Sequence, residues 1–228
     1  MERTMSRTRL LMSFLLVLGL GIFMSSKLNA ATTESEEFHE GFEYYSLPKP
    51  QETQAKKGTV EVVELFWFGC PHCYRFEPVL SKWLKTKPEN ITFVRIPAIF
   101  PKWPGADIHA RSYYTAVKLD VVDKVHQALF DFIQKNRRAV ITQKQVQAIF
   151  VKAGVKAADF DKAFLSDDVN KMIAKGKKLT AGYGAKSVPL MIVAGKYKAG
   201  ADLVDGSFPK LLRLVEFLVK KEMAATKK

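Results

Sequence analysis

Cysteine is almost missing from this chain: of 228 residues only Cys70 and Cys73 carry a thiol. Two sulfurs cannot build the multi-bridge framework of a small secreted scaffold. They also fall short of the four ligands of a closed structural zinc site, and His39, His109 and His126 stand at no spacing that would complete one. Long apolar runs are scarce too. The one present, Leu10 to Met24, is short for a membrane span and no second one follows, so a stable membrane anchor is not expected. Acidic residues are outnumbered 23 to 36 by lysine and arginine, a formal charge of +13. The basic clusters at Lys175, Lys177, Lys178 and at Lys220, Lys221 have no interleaved aromatics, which reads as solvated helix faces and argues against a nucleic-acid partner. There is no internal repeat and no low-complexity tract.

What is present begins with an address. Arg3, Arg7 and Arg9, the apolar run, then Ser25-Ser26-Lys27 and the small residues Asn29, Ala30 and Ala31 follow the order of a secretory signal cut near Ala30. Removing residues 1–30 lowers the charge from +13 to +10 and leaves 198 residues, ample for one core. An exported chain meets oxidising surroundings, where a cysteine pair can form a disulfide.

The pair stands in Gly69-Cys70-Pro71-His72-Cys73, directly after the apolar stretch Thr59 to Phe68. Proline is at home at the first position of a helix, which makes Cys70 the N-cap. Its sulfur then faces the free amides of His72 and Cys73, and the positive helix end favours thiolate over thiol. Cys73 lies one turn inside on the same face, within disulfide reach. Cys70 is thus the exposed attacker and Cys73 the shielded resolver. A purely structural bridge is the competing reading, but so small a loop restrains the unfolded chain little.

Period and punctuation give the rest. Residues 31–42 are acidic and aperiodic, a loose arm; Tyr44 to Leu47 is a short strand candidate. Thr59 to Phe68 is apolar on both alternating faces, the mark of a central strand covered on both sides. A helix from Pro71 to about Thr86 is expected to break or bend near Pro78, and Ile91 to Ile99 is a second buried strand. From about Asp107 to Gly182 the period is helical, as in Val121, Val125, Leu129, Phe132, Ile133 and in Val146, Ile149, Phe150, with a capping box at Thr142 and Gln145. Val188 to Val193 and Tyr197 to Ala199 read as a strand pair about Gly195, and a last helix starts near Ser207. Glu64 places a carboxyl on the apolar face of Val62 and Phe66, where burial raises its pKa.

A Cys-Pro-His-Cys run between buried strand and helix, a helical block after the second strand, and Ser187-Val188-Pro189 before a late strand together resemble the bacterial periplasmic thiol:disulfide oxidoreductases of the DsbA family. The resemblance implies an α/β, thioredoxin-like fold with a large all-helical insertion. It places an arm and first strand at 31–58, the thioredoxin-like domain at 59–100 and 186–228, and the insertion at 101–185. It implies an enzyme that passes the Cys70–Cys73 disulfide to reduced, unfolded exported polypeptides, with Pro71 and His72 tuning the thiols; the family is itself the reference case of an acidic thiol and an oxidising pair. Glu64 matches the acid that exchanges protons beneath the pair. Val188-Pro189 matches a cis-proline whose neighbouring backbone receives an extended substrate segment. Glu77 resembles a charged residue of the active-site helix, with Arg95 as partner, in either a tuning pair or a plain ion pair. No cofactor is implied, and the reoxidant is a membrane quinone reductase of the DsbB type. An isomerase or reductase on the same fold, or a peptide-binding holdase, are the alternatives.

Overall fold

The structure is a computed structural model and describes residues 37–137 and 140–226; the signal segment and residues 31–36 of the arm lie outside them. Five strands form one mixed sheet: β1 (Tyr45–Ser46), β2 (Val60–Phe66), β3 (Ile91–Pro97), β4 (Leu190–Val193) and β5 (Tyr197–Gly200), in the order β1-β5-β4-β2-β3. β2 pairs with β3 in parallel and with β4 antiparallel. Every residue of β2 is buried, as its two-sided apolar pattern requires.

Among the described residues seven α-helices accompany the sheet: α1 (Pro71–Thr86), α2 (Ala106–Lys118), α3 (Val122–Lys135), α4 (Gln143–Lys152), α5 (Ala157–Phe164), α6 (Asp167–Gly182) and α7 (Phe208–Thr226). α1 and α7 pack on one face through Phe76, Leu80, Leu211, Val215 and Leu218. The block α2 to α6 packs on the other through Ala110, Tyr114, Leu129, Phe150 and Phe160. The expected capping box is present, Thr142 and Gln145 opening α4, and Ser207 Oγ accepts from the Lys210 amide where α7 begins.

Two expectations need correcting. Pro78 does not break α1, which is continuous from Pro71 to Thr86. The chain after Glu37 is not a loose arm, because Phe38, only 4% exposed, packs edge-on against Phe217 of α7 and anchors the turn that leads to β1. The hairpin between β4 and β5 turns at Ala194 and Gly195, both at positive φ, and the Lys196 amide closes it on the Val193 carbonyl. A Cβ at Gly195 would stand 2.2 Å from the Gln51 carbonyl oxygen, so glycine serves both the turn and the close approach.

Phe150 is fully buried, its ring 4.9 Å from Phe160, while its neighbour Val151 faces solvent. Phe150→Ala is expected to cost about 3–5 kcal/mol in chemical denaturation, and Val151→Ala no more than about 0.5 kcal/mol.

Candidate active site

β2 delivers the chain to the site and α1 carries it away. After Phe66 the backbone turns through Trp67, Phe68 and Gly69, and the Cys70 amide bonds the Trp67 carbonyl at 2.9 Å. A side chain at Gly69 is excluded: its Cβ would fall 2.3 Å from the Trp67 ring. That ring stacks on Trp103, and Trp103 on Phe100, with centroids 4.7 and 4.1 Å apart. Cys70 is the N-cap of α1 in extended backbone and Pro71 opens the helix, as the motif requires.

The two thiols are free in this structure and unequally placed. Cys70 is 8% exposed and Cys73 0%. The Cys70 pKa is lowered to about 6, first by a hydrogen bond from the Cys73 side chain, against the opposing effect of burial, then by the amides of Cys73 and His72, and least by the charge of His72. No aligned side-chain cap bond joins the sulfur to the helix amides, so the neighbouring sulfur adds a stabilisation that the sequence did not signal. His72 is exposed, and its Nδ1 accepts from Arg75 Nη2 at 3.1 Å. Burial raises the Cys73 thiol well above its ordinary value, and the hydrogen bond to Cys70, the Cys70 charge and the Glu64 charge add to the rise.

The Val188-Pro189 peptide is cis, and the Val188 carbonyl lies 3.3 Å from Cys70 Sγ, 118 residues away in sequence. A protonated Cys70 can donate to that oxygen; the thiolate cannot, and is favoured instead by the Cys73 side chain and the nearby amides of Cys73 and His72. Val188 and Pro189 are both buried.

Beneath the pair lies a chain of buried charge. Glu64 is 0% exposed; burial, then the Glu77 charge, push its pKa to about 8 against Arg95. Arg95, opposite Glu64 on β3, donates from Nε to Glu64 Oε2 at 3.0 Å and from Nη2 to Glu77 Oε2 at 3.1 Å. Glu77 and Arg95 are therefore no surface ion pair. Burial favours a neutral Glu77, but a hydrogen bond from His126 and the nearby positive charge outweigh it and hold this carboxyl below its usual range.

Three contacts reach this site from α3, and none was signalled by the sequence: Gln134 Nε2 donates to the Phe68 carbonyl at 2.6 Å, Tyr74 Oη to Asp131 at 2.8 Å, and His126 Nε2 meets Glu77 Oε1 at 3.1 Å. They join residues 49 to 66 positions apart, beyond the reach of any local pattern. Among the described residues no group of three or more His, Cys, Asp or Glu side chains is placed to hold a metal ion.

A family model of the DSBA-like thioredoxin domain matches residues 92–208, about half of the chain. The thiol:disulfide interchange protein DsbA of Pseudomonas syringae pv. tomato is 38% identical over 215 residues, which cover 93% of this chain and 97% of the relative. The chain belongs to the DsbA family. It is a protein thiol:disulfide oxidoreductase on the thioredoxin-like fold. The crystal structure of Pseudomonas aeruginosa DsbA superposes with a TM-score of 0.77 at 34% identity, covering 84% of this chain and 97% of that one. Proteus mirabilis DsbA in complex with a non-covalently bound peptide gives 0.68 at 30% identity, covering 82% and 99%. In this DsbA relative the residues singled out by sequence converge: Cys70, Cys73, Pro71, His72, Glu64, Val188 and Pro189 all belong to one end of the sheet and the start of α1.

Titration of the thiolate absorbance of the reduced protein should show one midpoint near pH 6, where an ordinary cysteine ionises near 9. Glu64 supplies a second check. Its pKa in the fold lies above the unfolded value, so its favourable contribution is complete below about 4.5 and is lost as pH climbs to about 8. Stability curves of Glu64→Gln and the parent are therefore expected to diverge in favour of the variant across that interval and run parallel above it.

Proposed function

We propose that this protein oxidises the cysteines of newly exported polypeptides in the periplasm. A client thiolate attacks Cys70 Sγ of the oxidised pair. The Cys70–Cys73 bond breaks, its electrons leave on Cys73, and Cys73 takes a proton from Glu64. A second client thiolate then attacks the client sulfur of the mixed disulfide, expelling Cys70 as thiolate. The client has lost two electrons and gained a disulfide; the enzyme holds a Cys70 thiolate and a Cys73 thiol.

The observation that carries this reading is the opposite treatment of the two sulfurs. Cys70, shallow and favoured as thiolate, is the sulfur a client can reach and the one that departs from the mixed disulfide as an anion; Cys73, sealed and favoured as thiol, is out of a client's reach and departs with the proton that Glu64 supplies. Stabilising the thiolate of the reduced form raises the tendency of the disulfide to accept electrons. Glu64 suits proton exchange with Cys73, because its charge reaches that thiol and its Oε1 has no hydrogen-bond partner.

The Val188 backbone beside Cys70 suits an added client strand, read through main-chain hydrogen bonds and therefore tolerant of sequence. That the Proteus mirabilis relative holds a non-covalently bound peptide supports a peptide as the client, whatever its binding mode. A DsbB-type membrane quinone reductase would remove the electrons, and the chemistry at the two sulfurs needs no bound cofactor. The signal segment would direct export and be removed by cleavage near Ala30. Residues 59–100 and 186–228 would form the thioredoxin-like domain and 101–185 its insertion, with 31–58 an arm and first strand.

Three proteins test this. Titrated against glutathione, the parent should hold its pair reduced under conditions that leave a thioredoxin-like pair oxidised, and it should oxidise a reduced client. Cys73→Ser should accumulate a client mixed disulfide at Cys70, and Cys70→Ala should lose all oxidation. A poise as reducing as thioredoxin's, or a Cys70→Ala variant that still protects clients from aggregation as well as the parent does, would turn the assignment to a reductase or a holdase.

A further inference from the structure

Beneath the redox pair two carboxylates share one arginine, and they are not treated alike. Arg95 is always charged and spends Nε on Glu64 and Nη2 on Glu77. One positive charge cannot neutralise two negative ones in a buried setting, so the cluster favours one ionised carboxyl and one protonated. Hydrogen bonding decides which. Glu77 has both oxygens engaged, Oε2 by Arg95 and Oε1 by His126 Nε2. Glu64 has Arg95 on Oε2 and nothing on Oε1.

His126 comes from α3, 49 residues from Glu77, and its ring is wedged among aromatics: Phe66, Phe68, Tyr113 and Phe130 lie 5.1 to 6.0 Å away, centroid to centroid. Its Nδ1 is buried without a hydrogen-bond partner. Such a pocket suits a neutral imidazole whose one proton sits on Nε2, aimed at Glu77. Desolvation does lower the His126 pKa. The other ionisable groups near the ring are Arg95 from β3, Tyr113 from α2 and Asp123 one turn earlier on α3, and Glu64 from β2 stands behind Arg95. Only Glu77 makes a hydrogen bond to it among the described contacts.

We infer that His126 is a positioning residue: by donating to Glu77 Oε1 it fixes the negative charge of the shared cluster on Glu77 and so reserves Glu64 as the carboxyl that holds the proton beneath Cys73. The inference deepens the oxidase reading, on which the use of that proton rests, but the placement of the charge stands apart from it. Without the Nε2 donor, Glu77 has one oxygen unpaired and gains proton affinity; as it protonates, Arg95 acts on Glu64 alone and Glu64 releases its proton more easily.

Carbon-13 shifts of the glutamate carboxyls in the reduced full-length mature protein read this directly, whatever the oxidase assay shows. In the parent, Glu77 should titrate first and Glu64 last. His126→Phe, which keeps an aromatic ring in an aromatic pocket, should bring the two together, lowering the proton affinity of Glu64 about tenfold or more, a shift of about one pH unit or more. His126→Gln, whose amide can donate to the same oxygen, should retain most of the separation, and the pH profile of client oxidation should move with Glu64 in both variants. An unchanged order and spacing in His126→Phe, or a His126→Gln variant that behaves like His126→Phe, overturns the inference. Should the phenylalanine variant not fold, nitrogen-15 shifts of His126 in the parent decide: a ring proton on Nε2 upholds it and one on Nδ1 ends it.

Discussion

The active end of this molecule depends on one unequal partnership, a thiol on Cys73 donating to a sulfur on Cys70 that is better off charged. Both partners owe their character to a helix that starts in the right place. Pro71 fixes the start, so Cys70 falls at the cap and Cys73 one turn deeper against the sheet. Burial of Cys73 does double duty: it keeps that thiol protonated, and a protonated thiol is the donor the shallow sulfur needs. The helix amides and the imidazole of His72 reinforce an arrangement whose main contribution comes from inside the pair.

A second economy of charge runs below the first. β2 and β3 place Glu64 and Arg95 side by side, α1 brings Glu77 to the same guanidinium, and α3 adds His126. Each side chain comes from a different element, so the sheet face, the active-site helix and the helical block meet in one hydrogen-bonded line. Gln134 and Asp131 of α3 hold the turn before α1 and its first residues from the same side. The block is therefore part of the redox site and more than a cover for the sheet.

Much of this was legible in the sequence because it is local. The two-sided apolar pattern of β2, the proline after Cys70, the Thr142–Gln145 box and the turn at Gly195 are each written within a few residues. The carboxyl of Glu64 betrayed its burial by its neighbours. The starts of α2 and α5 went unmarked within the helical stretch 107–182, since neither has a side-chain cap: Gly105 opens α2 at positive φ and Lys156 opens α5. Phe38 escaped notice because one aromatic in an acidic arm has no period to reveal its contact with Phe217. The bonds from Gln134, Asp131 and His126 were invisible for a deeper reason, since they depend on how α3 crosses α1, which tertiary packing alone determines.

The order of parts along the chain has a consequence for biogenesis. The reactive pair is made early, yet the Val188 carbonyl that lies against it, and the strand that seals the sheet beside β2, are among the last quarter to be made. A polypeptide emerging amino end first cannot close its sheet until those residues arrive. A truncated or stalled chain therefore leaves one edge of β2 open and Cys70 without the carbonyl that lies against it, so maturation of the cysteine pair is tied to delivery of the whole molecule.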